Sequence, residues 1–189
     1  MVIKNTFNEQ CITYEQVSQI FIIRMLWHSL ANWTRAYMLS RYRDIGNSDE
    51  VKARLMEIPA VFINALEQFF GRSFETYLQL LYNYIELIDN LITAQQTGNI
   101  GEINRITQLL YQHMDQRAAI VASLHPSFWD ENEWRPRLYS HLRYTIDEST
   151  TFLTGDYNAN FDIFRAQLDE ADSTSSFLAR GLFDYLMAQ

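Results

Sequence analysis

Histidine and acidic side chains on helix-forming segments are the residues of this sequence best suited to chemistry, because together they can bind a transition metal ion. His141 and Glu148 lie on one face of the same helical segment, but about two turns, or ~10 Å, apart along its axis. His28 and His113 belong to other helical segments. A core site for iron, manganese or zinc is therefore expected to use His141 and Glu148, assisted by His28 or His113. The Glu-x-x-His step of di-iron bundles is absent, and the alternative is that these histidines are ordinary buried groups.

A polar stripe is the second candidate, and it follows the segment from Gln16 to Tyr42. This segment lacks Gly and Pro and is apolar nearly all round at residues 20–23. The stripe recurs at steps of three and four and consists of Arg24, His28, Asn32 and Arg35. A helix this apolar belongs at the centre of a bundle, where polar groups need partners.

Acidic and amide side chains on other segments are the candidate partners of this polar stripe. They are Glu86, Asp89, Asn90, Asp147 and Glu148. Opposite charges on adjacent helices can pair and fix the register of packing. The alternative is that Glu86 and Asp89 form a solvated outer face while the arginines extend to solvent. The sequence leaves both interpretations open.

Motifs of the common enzyme classes are absent from the sequence. There is no Gly-rich phosphate loop, no Gly-x-Ser-x-Gly elbow and no His-Glu-x-x-His. Six scattered glycines cannot build a nucleotide cradle. We therefore assign no catalytic and no cofactor-binding residues and expect a protein that is not an enzyme.

Composition predicts one acidic domain spanning residues 1–189. With 48% hydrophobic residues the chain can form a sizeable core. The net charge of −8 opposes binding to nucleic acid and to anionic membranes, so neither partner is expected. The sequence shows no signal-peptide pattern, no apolar run near the ~20 residues of a membrane span and a single cysteine. These features predict a cytoplasmic protein.

Capping and stop signals divide the chain into helices. Asn47 with Glu50 and Asn99 with Glu102 match the capping-box pattern, and Pro59 matches a helix start. The predicted elements are a first helix from about Asn8 or Thr13 to Arg43, a short pair at 48–57 and 59–70, and long helices at 73–97, 99–124, 130–154 and 156–187. Short loops make sequential helices antiparallel. The predicted fold is an all-α, up-and-down bundle of about five long helices, with a short helical pair between the first and second.

Several segments resemble a family of small bacterial all-helical proteins. They are residues 26–27, 33–37 (Trp-Thr-Arg-Ala-Tyr), 118–129, 138–142 (Leu-Tyr-Ser-His-Leu), Glu148 and 153–157 (Leu-Thr-Gly-Asp-Tyr). The resemblance extends from about Phe7 to Gly181. Some members carry the label acetylglutamate kinase, which this sequence does not support, because the required α/β architecture and glycines are missing.

The same family is similar to ferritin-like and other metal-binding bundles with inward His and Glu. Its pattern has histidines where this sequence has Leu30 and Tyr84, whereas His141 and Glu148 are kept. The resemblance therefore implies a metal site that has lost ligands here.

A non-catalytic binding or interaction protein is the function we expect, self-associating as a homo-oligomer through an aromatic or apolar helix face. The support is the lack of a catalytic constellation together with an aromatic content of 14%. A ferritin-like metal-binding bundle is the alternative. A small apolar-ligand carrier, using the run of small residues at 172–176, is a weaker third hypothesis.

Overall fold

Six α-helices make up the computed structural model over the residues that it describes, which are 13–70 and 75–188. They are α1 (Tyr14–Arg43), α2 (Ser48–Phe70), α3 (Glu75–Gln96), α4 (Ile100–Leu124), α5 (Glu131–Thr154) and α6 (Tyr157–Met187). No strand occurs in the described ranges, which confirms the all-α prediction. None of these helices is long and apolar enough to cross a membrane.

Local capping residues fix the helix ends close to the predicted positions. Thr13 caps α1: its Oγ1 accepts from the N–H of Gln16 at 3.3 Å, and Gln16 Oε1 accepts from the N–H of Thr13 at 2.9 Å. Asn99 caps α4 by accepting from the N–H of Glu102 at 3.1 Å. Two predicted helix starts lie outside the described residues. They are Asn8, the earlier of the two starts predicted for the first helix, and Ser73, where the predicted helix 73–97 begins.

The predicted short helical pair is wrong, because α2 is one helix of 23 residues with Pro59 inside it. Proline removes the N–H that would bond to the carbonyl of Leu55, which is why it usually starts a helix. Here Leu55, Phe62 and Leu66 are buried on both sides of Pro59 and belong to one core cluster. Burial of this continuous apolar face holds the helix together across the proline.

The helices form a closed ring in chain order, because each contacts the next and α6 contacts α1. Across the ring, α1, α3 and α5 also contact one another, whereas α2, α4 and α6 lie outside this inner group in the described structure. Side-chain contacts give the directions. Trp27 and Arg35 of α1 contact His141 and Glu148 of α5 in parallel order. Along α1 and its ring neighbour α6 the order is reversed, since His28 contacts Asp172 and Arg35 contacts Phe164, which is the antiparallel arrangement of an up-and-down bundle.

Asp89 joins α1, α2 and α3 at one side of the ring. Its carboxylate accepts from the Tyr37 hydroxyl at 2.7 Å, from Lys52 Nζ at 2.8 Å and from the Arg41 guanidinium. Glu86 accepts from the same Lys52 ammonium at 2.8 Å. The sequence offered these two acidic groups either as partners of the polar stripe or as a solvated face. They pair instead with Tyr37, Arg41 and Lys52, none of which belongs to the stripe. Such a shared carboxylate fixes the register of three helices.

Apolar residues of α6, beginning with Phe161 and Phe164, recur at helical spacing and predict an apolar inward face, but that face is polar in the first half of the helix. Phe161 is 63% exposed, whereas Asn160 and Gln167 are fully buried. Asn160 Nδ2 donates to Thr151 Oγ1 at 2.8 Å, and Gln167 Nε2 donates to Thr145 Oγ1 at 3.0 Å. These hydrogen bonds to α5 let the amides take the buried positions.

Gly181 of α6 lies directly against Trp129, which belongs to the loop between α4 and α5. Trp129 is buried and its indole N–H donates to the carbonyl of Leu178 at 3.3 Å. A Cβ on Gly181 would lie 2.1 Å from Trp129 Nε1. No side chain larger than hydrogen fits there unless the indole moves.

Replacing Gly181 with alanine should therefore lower the free energy of unfolding by about 1–3 kcal/mol, since overpacking outweighs the better helix propensity of alanine. Urea unfolding followed by circular dichroism measures the change. Gly101→Ala in α4 is the matched control, because the nearest atom to its added Cβ is 3.7 Å away. Equal effects of the two substitutions would contradict the tight contact at Trp129.

Candidate functional site

Tyr84 of α3 lies at the centre of a polar cluster inside the apolar core. We name this the Tyr84 cluster, and it consists of Tyr84, His113, Arg117, His141 and Thr145. The ring centroids of His113 on α4 and His141 on α5 each lie 6.3 Å from that of Tyr84. The Tyr84 hydroxyl donates to Thr145 Oγ1 at 3.4 Å, and burial raises the pKa of Tyr84. Three helices thus meet around one phenol ring.

Arg117 of α4 brings a full positive charge into this cluster with 1% of its surface exposed. Its guanidinium carbon lies 5.9, 5.6 and 5.7 Å from the ring centroids of Trp27, Tyr77 and Tyr84. Nη1 donates to Met114 Sδ at 3.7 Å, and Nε has no hydrogen-bond partner among the described residues. Within these residues no carboxylate lies within 4.0 Å of the guanidinium. Aromatic faces therefore provide most of the compensation for this buried cation.

The two imidazoles of the cluster are neutral near pH 7. Burial, together with the Arg117 charge, lowers the pKa of His113 to about 4 and that of His141 to about 3. His141 also meets the face of Trp27 edge-on, with centroids 5.5 Å apart. Arg117 is therefore the charged member of the cluster.

Arg35 is the residue of the predicted polar stripe that reaches a buried partner. Its Nη1 donates to Glu148 Oε1, and its guanidinium carbon lies 4.3 Å from the ring centroid of Phe164 and 5.1 Å from that of Phe152. Glu148 is fully buried, and this burial raises the pKa of its carboxyl to about 7 although Arg35 opposes the shift. The contact joins α1 to α5 and gives Arg35 a structural role.

The rest of the polar stripe lies at the surface. His28 Nε2 is 2.8 Å from Asp172 Oδ1 of α6, and Arg24 Nη2 is 3.9 Å from the same oxygen. Asn32 donates to the backbone carbonyl of His28 at 2.9 Å. Exposed pairs of this kind contribute little to stability. The stripe is thus divided between a surface pair with α6 and one buried pair with α5.

The four predicted metal ligands are not brought together. His141 and His113 both face Tyr84, whereas Glu148 pairs with Arg35 and His28 pairs with Asp172 at the surface. Among the residues that the structure describes, no group of three or more His, Cys, Asp and Glu side chains is arranged to hold a metal ion. Histidines 113 and 141 therefore form the nearest approach to the predicted site.

Arg117 and Tyr84 are the site residues that the sequence interpretation missed. Helical spacing could have placed Arg117 in the core, because it follows Leu110 by seven residues and Met114 by three on the buried face of α4. A charged residue at such a position is usually assigned to the surface. Helical spacing places Tyr84 on the apolar face of its helix, but sequence does not show which polar groups converge on its ring.

An apolar pocket adjoins the Tyr84 cluster between α1, α2, α3 and α4. We name it the core pocket, and its lining residues are Leu26, Trp27, Leu30, Ile58, Pro59, Phe62, Leu81, Tyr84, Ile85 and Arg117. The space inside and at its mouth is about 380 Å³, of which about 20 Å³ has room for the centre of a water molecule. Arg117, Tyr84 and Trp27 are the lining residues that carry polar groups, and the other lining residues are apolar.

The core histidines should make stability rise with pH. Since their pKa values are about 4 and about 3 in the fold against an ordinary 6.5, the unfolded chain binds more protons up to pH 6.5. Glu148 acts oppositely between pH 4.5 and about 7, because its pKa is raised in the fold. The two imidazoles outweigh the one carboxyl, so the free energy of unfolding should be about 2–3 kcal/mol higher at pH 6.5 than at pH 4.5. Urea unfolding at both pH values measures this difference.

Variants separate the contributions to this pH difference. His141→Gln removes one imidazole and should reduce the difference to near zero, while Glu148→Gln removes the opposing carboxyl and should enlarge it. His28→Gln, at the surface, controls for the loss of any histidine. A pH difference that His141→Gln leaves intact would contradict the low pKa of that imidazole.

Comparisons with protein-family models, with curated proteins and with solved structures find no match to this chain. The resemblance to small bacterial helical proteins and to ferritin-like bundles is therefore retained as a prediction. What is shown is the all-helical fold.

Proposed function

We propose that this chain is a non-catalytic binding protein that holds a small apolar molecule in the core pocket. The observation that carries the proposal is the pocket itself, which four helices line almost entirely with apolar side chains. Concave apolar sites with a few polar groups are the usual form of small-molecule sites in helical bundles. The predicted carrier site at the small residues of α6 is replaced, since Thr174 and Ser175 are closely packed and fully buried.

Movement of α2 is the proposed route of entry, because the pocket as it stands has room for little more than water. Ile58, Pro59 and Phe62 form its outer wall, and α2 contacts only α1 and α3 within the described structure. Pro59 leaves the carbonyl of Leu55 without its helical partner. A displacement of α2 near Pro59 therefore separates it from α1 and α3 and leaves the contacts among the other helices in place.

The arrangement of titratable groups supports binding in preference to catalysis. Within the described residues, 13–70 and 75–188, one hydrogen bond joins an imidazole to a carboxylate, and it links His28 to Asp172. It lies at the surface and not at the core pocket. A nucleophile activated by an oriented base is thus not part of the proposed site.

Decan-1-ol, a neutral apolar chain, should bind in the core pocket and raise the unfolding temperature. Leu30→Phe adds volume to the pocket wall and should weaken binding by about tenfold, whereas Phe62→Leu enlarges the pocket and should strengthen it. Isothermal titration calorimetry measures both affinities.

Phe183→Leu is the control for these pocket variants, because Phe183 is exposed on α6. The proposal fails if decan-1-ol does not bind, or if Leu30→Phe and Phe62→Leu bind it as the parent protein does.

Self-association is a second candidate function, favoured by an apolar stripe on the first half of α1. The stripe follows helical spacing and consists of the exposed side chains of Tyr14, Val17, Phe21 and Met25. A contiguous exposed apolar stripe marks an interaction surface. We propose a second copy of this chain as the partner, because a straight stripe along one helix can pack on its own copy about a twofold axis.

Phe21→Glu should convert such a homodimer to monomer, since a carboxylate in an apolar interface is strongly unfavourable. Light scattering coupled to size-exclusion chromatography measures the mass over a range of concentrations. Leu153→Glu, at an exposed position on α5, is the matched control. A parent protein that is monomeric at every concentration would exclude this interface.

Two further proposals concern the compartment and the family. We propose that the chain acts in the cytoplasm, which one cysteine in 189 residues supports, and that it belongs with the small bacterial helical proteins that it resembles.

The ferritin-like alternative is supported by the two imidazoles that face Tyr84, whereas the pairing of Glu148 with Arg35 disfavours it. Elemental analysis of protein purified without chelator decides between a metal site and a polar core.

A further inference from the structure

The guanidinium of Arg117 is the charged group of the core pocket. It lies on the pocket wall, with 1% of the residue exposed and its Nε lacking a hydrogen-bond partner among the described residues. Transfer of an ion into a protein interior is costly unless an opposite charge or hydrogen bonds compensate it. A buried, incompletely partnered cation on a cavity wall therefore points to what the cavity holds.

The neighbours of Arg117 do not supply a counter-charge. The three aromatic rings and Met114 Sδ around the guanidinium are uncharged, and burial keeps His113 and His141 neutral near pH 7. Glu148, a buried carboxyl of the described core, bonds to Arg35 through Oε1; its Oε2 has no hydrogen-bond partner among the described residues, and no ion pair joins it to Arg117. The positive charge of Arg117 is thus left unbalanced over the described residues.

We infer that the core pocket takes an anionic amphiphile, with its apolar body against α1, α2 and α3 and a carboxylate head group on Arg117. This inference rests on the proposed function and names its ligand class. The planar guanidinium presents N–H groups in a fork that matches a carboxylate, and such charge-assisted bonds are strongest where water is excluded. Apart from Tyr84 and from Trp27, whose buried indole N–H has no hydrogen-bond partner among the described residues, the remaining lining residues are apolar and suit the body of the ligand.

Decanoate and decan-1-ol are matched probes that differ in the head group. At about pH 8, where a carboxylic acid is ionised, decanoate should bind the parent protein about tenfold or more tighter than decan-1-ol. Arg117→Met replaces the cation with an apolar side chain, so it should remove this preference and leave decan-1-ol binding intact or stronger. Isothermal titration calorimetry at low ionic strength measures the four affinities.

Arg24→Met is the matched control, since Arg24 is a half-exposed arginine of α1 that does not line the pocket. It should leave the preference for decanoate unchanged. Because replacing a poorly compensated buried cation by an apolar residue is often stabilising, Arg117→Met should also raise the unfolding temperature in the absence of probe.

The outcomes distinguish the two proposals. If decan-1-ol does not bind the parent protein, the proposed function fails and the inference, which rests on it, fails with it. If decan-1-ol binds as tightly as decanoate, the pocket is an apolar site without anion selection and only the inference is overturned, whatever the behaviour of any variant. A decanoate preference that persists in Arg117→Met overturns the role of Arg117.

Discussion

A guanidinium held inside a helical bundle constrains everything that packs around it. Arg117 comes from α4, but the rings that face it come from α1 and α3, so a single cation fixes three helices relative to one another. Its field reaches further, since it contributes to the low pKa values of His113 and His141. Without those rings, the charge would need a carboxylate or water, and the core would need a different shape.

The second buried charge is handled differently. Arg35 bonds to the Glu148 carboxyl between α1 and α5, and phenylalanine rings cover the guanidinium. Such a pair specifies register, because a shift of either helix would leave a buried ion alone. Arg35 thus has a carboxyl partner in the core, whereas Arg117 has none among the described residues.

Much of this fold is predictable from the sequence because the determining signals are local. The caps at Thr13, Asn99 and Asp156 act within three residues of themselves, and the structure places helix starts beside all three. Pro59 led to a wrong prediction, a helix start at residue 59, because that prediction also relied on a local signal. Its local preference for a helix start is outweighed by apolar burial on both sides, which depends on neighbours far along the chain.

The polar core was harder to predict, because its partners are distant in sequence. Arg35 and Glu148 are 113 residues apart, so both could be named as candidates but their contact could not. Phe161 was assigned to the core because it is apolar, yet the amide of Asn160 takes the buried position by bonding to Thr151 of α5. Hydrogen-bond geometry between helices decided which side chain faces inward, and periodicity carries no information about it.

Closure of the ring by α6 sets the order in which the chain can complete its fold. During synthesis α1 emerges first, whereas the helix that covers Arg35 and His28 emerges last. Contacts between segments so far apart in sequence are slow to form, because a long loop must close before they stabilise anything. While the nascent chain grows, one flank of α1 stays uncovered. Until α6 docks, that flank is available to chaperones or to neighbouring chains on the same messenger RNA.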